Sequence, residues 1–460
     1  MELARILLAA PKSGSGKTTV VCALLQALQN RGVQVAAFKS GPDYIDPMFH
    51  SRVLQTPSRN LDLFLLGRGK KGAERARSLL GKNAVPNGLA VLEGAMGYYD
   101  GIGTGSEASA YELAKATQSP AILVVDGRGS GVSLGAILKG LAAFHADSQV
   151  QGFIVNRVKP MVYHHFKQAW KEASGLQALG CLPELPDCQF SSRHLGLITA
   201  GEIADLQKIM QRLAGQAEKY LDIEAILALA KTAPSLLADE KPSAAWPKIP
   251  VHLAVAKDEA FCFYYQDALD LLQQMGATLC YFSPLHDRSL PPCDGLYLGG
   301  GYPELYAAAL SENQTMRQSI HGAIAKDLPC IAECGGFMYL HQAFRAADGK
   351  TYPWCGVIGG ETYMTETLQH FGYVTLTAEK DTLLCAKGTE IPAHEFHYSA
   401  STNGETSFTI QKAAGSRHWA GIYAEGNLIA GYPHLHFCGQ PQLVRHFLLA
   451  CQVYARKETT

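Results

Sequence analysis

Two short stretches hold most of the residue types that do chemistry. The first is Pro11-Lys12-Ser13-Gly14-Ser15-Gly16-Lys17-Thr18-Thr19, which follows an apolar run and opens a helix-patterned segment. That context is what a phosphate loop requires: glycines let backbone N–H groups turn around a phosphate, a lysine reaches its outer oxygens, and a hydroxyl meets Mg²⁺. Gly14, Ser15, Gly16, Lys17, Thr18 and Thr19 are therefore the expected nucleotide-binding residues, with ATP and Mg²⁺ as the expected ligands. Pro11 stands where the strict pattern begins with glycine, but the SGSGKTT core is complete. The second stretch is Pro329-Cys330-Ile331-Ala332-Glu333-Cys334-Gly335-Gly336-Phe337. An apolar strand runs into a cysteine, two glycines and a helix-like segment. This is the layout of a nucleophile elbow, where a helix N-terminus favours an anionic sulfur. Ala332 replaces the first glycine of the usual pattern, and Cys330 reads as core.

A thiol nucleophile needs a base. Ala430-Gly431-Tyr432-Pro433-His434-Leu435-His436-Phe437 supplies two histidines at alternating spacing. On an extended segment they would face the same way, one taking the thiol proton and the other orienting it. Leu298-Gly299-Gly300-Gly301-Tyr302 ends a strand in three glycines, so Gly300 and Gly301 are the expected oxyanion donors. On the phosphate side, two acidic segments end neighbouring strands: Lys39 to Pro47 and Leu92 to Gly101. Ligands of open parallel sheets bind at strand carboxyl ends. Asp43 and Glu93 are thus expected beside Thr18 as metal ligands. Tyr44, Ile45, Asp46 and Asp100, further along the same loops, are expected where an acceptor substrate sits. Asn156 ends another apolar strand and is expected either to bond a nucleotide base or to cap that strand.

These residues need elements to hold them. Apolar runs at Arg5–Ala10, Val33–Phe38, Leu89–Leu92, Ala121–Val125 and Gly152–Val155 have the length of strands buried on both faces. Helical patterns such as Thr18–Gln29 and Tyr111–Thr117 lie between them. A second series starts at His252–Ala256 and continues through Thr278–Phe282, Gly295–Leu298 and Cys330–Ala332. The alternation predicts an α/β fold with two mainly parallel sheets. Residues 232–250 carry four prolines and no period, which reads as a linker. The expected domains are 1–235 and 249–460, joined by 236–248.

Composition narrows the function classes. The 460 residues include 47% hydrophobic and 18% charged side chains, as packed globular chains do. Lys plus Arg is 40 and Asp plus Glu is 41, so no basic excess favours nucleic acid. No apolar run reaches the ~18–20 residues of a membrane span. The run Ile6–Ala10 is too short for a signal-peptide core. Twelve cysteines without CxxC spacing fit buried thiols in a reducing cytoplasm better than a disulfide or zinc framework.

Taken in order, the motifs resemble the cobyrinate a,c-diamide synthase family over essentially the whole chain. The match rests on SGSGKTTV (13–20), KSGPDYIDPMFH (39–50), SRNLD (58–62), EGAMGYYDG (93–101), VNRV (155–158), SRHLGLITA (192–200), DEAFCFYY (258–265), FSPLHDRSLP (282–291), LGGGYPELY (298–306), AECGGFMYL (332–340), HEFHYS (394–399) and HLHF (434–437). The resemblance implies a dethiobiotin-synthetase-like phosphate-loop domain followed by a class I glutamine amidotransferase-like domain. It implies that Cys334 attacks glutamine with His434 as its partner, and that the first domain phosphorylates substrate carboxylates with ATP and Mg²⁺. Ammonia channelled between the domains then displaces phosphate. In other class I amidotransferases a Glu follows the histidine by two residues; here His436 stands there, which leaves the third member of the triad open. The implied partners are cobyrinate, glutamine and ATP, with no nucleic acid, no membrane and room for a homodimer. Hydrogenobyrinate and nickel-sirohydrochlorin are alternative acceptors that these motifs do not separate, and HEFHYS is a candidate acceptor contact. A reading from a different class is a partition-type nucleotide switch with a degenerate second domain. The intact cysteine, glycine and histidine segments argue against it.

Overall fold

The apolar runs of the first half form one sheet, and its strands run past the apolar residues into polar ones. In this computed structural model, residues 2–188, 200–236, 246–404 and 406–458 are described. The motif at 192–200 (all but its last residue) and most of the linker at 236–248 lie outside them. The chain divides into two compact units, Met1–Glu240 and Lys241–Thr460.

The first unit contains β1 (Ala4–Ala9), α1 (Lys17–Asn30), β2 (Val35–Ser40), α2 (Ile45–Arg52), β3 (Ser58–Leu61), α3 (Gly69–Asn83), β4 (Leu89–Glu93) and α4 (Ala110–Thr117). It continues with β5 (Ala121–Asp126), α5 (Ser133–Ala143), β6 (Val150–Asn156), α6 (Pro160–Ser174), β7 (Gln177–Leu182), α7 (Ala200–Tyr220) and α8 (Ile223–Lys231). The seven strands are parallel in the order β3-β2-β4-β1-β5-β6-β7. The order reverses around β1, so the loop after β1 opens at the crevice where such sheets bind ligands. β1, β4 and β5 are buried almost throughout, and Val20, Val21, Leu24, Leu25 and Leu28 of α1 cover one face.

The second unit opens with β8 (Val251–Ala256), β9 (Phe261–Phe263), α9 (Gln266–Gln274), β10 (Ala277–Phe282), β11 (Gly295–Leu298), β12 (Gly300–Gly301), α10 (Ala307–Glu312), α11 (Gln314–Ala325), β13 (Cys330–Glu333) and α12 (Gly335–Tyr339). Its main sheet runs β10-β8-β11-β13, then the strands Leu428–Gly431 and Tyr423–Glu425. All neighbours are parallel except that last hairpin. A five-stranded antiparallel sheet follows from His370–Ala378, Glu390–His397 and their neighbours, ending at His434–Leu435. No expectation from the sequence covers this sheet. Among the described residues no helix is long and apolar enough to cross a membrane.

Candidate functional site

The loop from Ala10 to Gly16 joins β1 to α1. Gly14 and Gly16 have φ of 79° and 82°, a region that L side chains seldom enter. At Gly16 space forbids a side chain as well, because a Cβ there would stand 2.2 Å from Asn156 Nδ2. Asn156, at the end of β6, donates its buried amide to Ser15 O at 3.0 Å and so braces the loop. Arg157, which the sequence analysis passed over, donates to Gly14 O at 2.9 Å and to Asp126 at 3.0 Å. Ser15 Oγ donates back to Lys12 O. Thr19 lies in the first turn of α1, behind the loop.

Lys17 and Thr18 open α1. Lys17 Nζ donates to Met96 O, so the lysine already reaches the loop after β4. Burial, with Lys39 nearby, lowers its ammonium to about 8. Thr18 Oγ1 donates to Glu93 Oε1 at 2.7 Å, as the expected pairing required. Glu93 is buried and also receives Lys39 Nζ at 3.0 Å; Lys39 in turn pairs with Asp46. Burial alone would lower the Lys39 ammonium, but Glu93, Asp46 and Asp43 outweigh it and hold it above its ordinary value. Burial works against the Asp46 carboxylate too, yet Lys39 keeps it below the usual range. Asp43 Oδ1 accepts Ile45 N–H at 2.8 Å and so starts α2. Burial and the Asp46 charge push its carboxyl up to about 6. Tyr44 is buried and Ile45 half-buried beside it. Asp100 is exposed and closes a turn by accepting Gly97 N–H at 3.0 Å. His50, one helical turn after Asp46 and not among the residues expected from the sequence, brings its Nε2 to 3.7 Å from Glu93 Oε2.

This group suits a divalent cation that arrives with a nucleotide. Three carboxylates face one lysine, and Glu93 Oε2 is buried without a hydrogen-bond partner. Mg²⁺ keeps several waters and takes phosphate oxygens, so a hydroxyl and one carboxylate suffice from the protein. Among the described residues there is no cluster of three or more His, Cys, Asp or Glu able to hold a metal. An open cleft of about 940 Å³ lies at the opposite end of β2, around Val33–Val35 and Gln211, away from this chemistry.

In the second unit, Cys334 follows β13 with φ 47° and ψ −102°, a strained backbone for a residue with a side chain. Its N–H donates to Gly431 O at 2.7 Å, which locks the turn to the neighbouring strand. Cys334 stands at the N-terminus of the five-residue helix Gly335–Tyr339. Its side chain hydrogen-bonds His434. Burial works to lower the His434 imidazolium, but Cys334 and the nearby Glu333 carboxylate hold it up at about 10. Gly300 flanks the ring, since a Cβ there would stand 2.6 Å from His434 Cε1. At Gly301 a Cβ would stand 2.0 Å from Ala260 O. Gly301 N is beside Gly335, 3.2 Å from where a Cβ of that residue would be. Gly335, the residue after the nucleophile, thus packs its backbone against Gly301.

His436 does not serve His434. Its ring stacks on Tyr265 at 4.7 Å, and burial pushes it down to about 4. Strand alternation fails because the strand ends at Leu435. The carboxylate facing His434 Nδ1 belongs to Glu333, at 3.6 Å. The HEFHYS segment is also revised. His394, Glu395 and His397 are buried, His394 directly across from His434, and only Phe396 and Tyr398 face solvent.

Family models match both halves. Residues 6–197 match a CobQ/CobB/MinD/ParA nucleotide binding domain, and 252–442 a CobB/CobQ-like glutamine amidotransferase domain. The chain is 38% identical over 448 residues to a cobyrinate a,c-diamide synthase of Listeria innocua, covering 96% of this chain and 98% of that one. It is 36% identical over 455 residues to that of Caldanaerobacter subterraneus, covering 98% and 99%. It is 37% identical over 459 residues to that of Salmonella typhimurium, covering 97% and 98%.

Proposed function

Since the chain belongs to the cobyrinate a,c-diamide synthase family, we propose that it converts the a and c acetate carboxylates of cobyrinate to amides, using ATP and glutamine. One observation carries this reading. A strained cysteine hydrogen-bonded to a histidine shares a chain with a phosphate loop whose threonine reaches a strand-end carboxylate. The first makes ammonia and the second prepares its acceptor.

At the thiol site Cys334 gives its proton to His434, and the sulfur attacks the glutamine carboxamide carbon. The oxyanion is met by the N–H groups of Gly300 and Gly301, which lie beside the His434 ring and Gly335. Collapse breaks the C–N bond, and His434 returns the proton to the departing ammonia. Water then cleaves the glutamyl thioester, which releases glutamate and restores the thiol.

At the phosphate site a substrate carboxylate oxygen attacks the γ-phosphorus, and the bond to ADP breaks. A carboxylate is a poor acyl donor because it would have to expel oxide; the acyl phosphate expels phosphate instead. Ammonia attacks the acyl carbon, loses a proton and displaces that phosphate. Lys17 and the N–H groups of Gly14, Ser15 and Gly16 stabilise the charge on the phosphates. A Mg²⁺ held by Thr18 and Glu93, with Asp43 nearby, would supply further neutralisation there. Lys39 holds Glu93 in place and Asn156 holds the loop. Tyr44, Ile45, Asp46 and Asp100 form the proposed acceptor side, with Asp46 acting through Lys39.

The test is mass spectrometry of cobyrinic acid incubated with the protein, ATP, Mg²⁺ and glutamine. The product should exchange OH for NH₂ twice and then stop. Amidation of nickel-sirohydrochlorin alone would overturn the substrate. Steady ATP hydrolysis without any amide would overturn the reaction.

A further inference from the structure

The thiol site has a nucleophile and a base, and the position two residues after the base holds no carboxylate. An imidazole that shuttles a proton needs its other nitrogen fixed; otherwise the wrong tautomer faces the nucleophile. His436, at that position, is turned away onto Tyr265. Glu333 occupies the space instead. It is the last residue of β13, 3% exposed, and its Oε2 lies 3.6 Å from His434 Nδ1. Its other oxygen accepts the N–H of Leu435 at 3.2 Å, which ties the carboxylate to the same segment as the histidine.

The backbone explains how adjacent residues reach one ring. In a regular strand, neighbours 333 and 334 would point to opposite faces. The positive φ at Cys334 breaks that alternation. Sulfur and carboxylate therefore both approach His434, which comes in on the strand paired with Glu390–His397.

We propose that Glu333 is the positioning residue of the thiol site, holding His434 with its Nδ1–H toward the carboxylate and Nε2 toward Cys334. The proposal deepens the glutamine-hydrolysis reading and rests on it. It replaces a triad closed from beyond the histidine by one closed from beside the nucleophile. The negative charge stays off the sulfur and stabilises the imidazolium that forms when the thiol proton moves.

Few other charges face the ring. Cys334 and Glu333 approach from β13 and its end, and His394 from the paired strand, where burial and His434 hold it neutral at about 3. Behind Glu333 stand Tyr297 and Tyr264, whose phenols burial pushes far up. Glu333 is thus the only carboxylate, among the described residues that face His434, able to hold up its imidazolium.

The test compares wild type, Glu333→Gln, Glu333→Asp and Cys334→Ser in the full chain, with glutamine or ammonium as nitrogen source. Gln keeps an oxygen for Leu435 N–H and removes only the charge. Glu333→Gln should lose about 10²–10³-fold in glutamine-dependent kcat, somewhat less than the ~10⁴ typical of an Asp→Asn change behind a catalytic histidine. Its KM for glutamine and its ammonium-dependent rate should stay near wild type. The protonated imidazole is needed to release ammonia, so activity falls as pH rises through the His434 pKa. Removing the carboxylate lowers that pKa, and the basic limb of kcat/KM for glutamine should move down by about one pH unit. Glu333→Asp should recover part of the rate and return the limb upward. Wild-type kcat and pH profile in Glu333→Gln would overturn the proposal. So would Asp no better than Gln while both keep ammonium-dependent activity. Glutamine use that survives Cys334→Ser would instead overturn the thiol-site reading itself.

Discussion

The two sites of this chain are assembled in opposite ways. The phosphate loop is one contiguous segment, residues 10–18, whose backbone does the binding and whose shape is enforced by Gly16, Asn156 and Arg157. The thiol site draws on three separated segments, at 300–301, 333–335 and 434, and works through two side chains held by a third. The first site is charged in advance, with Lys39, Asp46 and Glu93 locked together, and it needs a nucleotide to complete it. The second is complete in itself. A site that binds a charged ligand stores its specificity in fixed charges and amides; a site that makes a bond stores it in one strained residue.

Substitutions can separate the two. The largest effect is expected for Cys334→Ser, which should lower glutamine-dependent amidation by at least ~10⁴-fold and leave the ammonium-dependent rate near wild type. Parallel assays with the two nitrogen sources read this directly. Lys17→Ala should do the reverse. Amidation from either source should fall by ~10²–10³-fold while glutamate release without acceptor persists, because phosphate-charge stabilisation is lost. If Lys17→Ala removed only glutamine-dependent turnover, the division of labour would be wrong.

Acid distinguishes the units through stability. Burial holds His341, His394 and His436 of the second unit at about 4, 3 and 4. Unfolding would return each to about 6.5, so the unfolded chain binds more protons at pH 5, and stability drops as pH falls below about 6.5. Each histidine should cost about 2 kcal/mol by pH 5. Glutaminase activity after incubation at pH 5, compared with nucleotide binding measured by tryptophan or nucleotide-analogue fluorescence, should decline first. A smaller change is expected for Asn156→Ala: one hydrogen bond to the loop, worth about 1 kcal/mol, and a rise in KM for ATP with glutamine hydrolysis untouched.

What the sequence made legible follows from the same contrast. The phosphate loop could be read because its chemistry is local, and β1, β4, β5, β8, β11 and β13 because strands buried on both faces are continuous apolar runs. The strand ends were harder. β2, β4, β6 and β13 each run one or two residues beyond the apolar stretch; of the added residues, Glu93 and Asn156 were legible, but Lys39 and Glu333 were not. A strand's last polar residue looks like the start of a loop in a pattern of hydrophobicity, yet the sheet keeps it extended and points it into the site. Lys39, His50 and Glu333 could have been singled out as charged or titratable residues one step from an apolar strand or one helical turn from an acid. The antiparallel strands from 370 to 435 were missed because half their residues face outward and their alternation is interrupted, as at Gly372 and Pro392. His436 was misjudged because periodicity holds only while a strand lasts.

The central claim is that nitrogen freed at Cys334 becomes the amide formed beside the phosphate loop. Incubation with glutamine labelled with ¹⁵N on the amide, ATP, Mg²⁺ and cobyrinic acid tests it most directly, with phosphate counted alongside. The account predicts heavy nitrogen in each new amide and one phosphate released for each. Glutamate and phosphate released without labelled amide would contradict it.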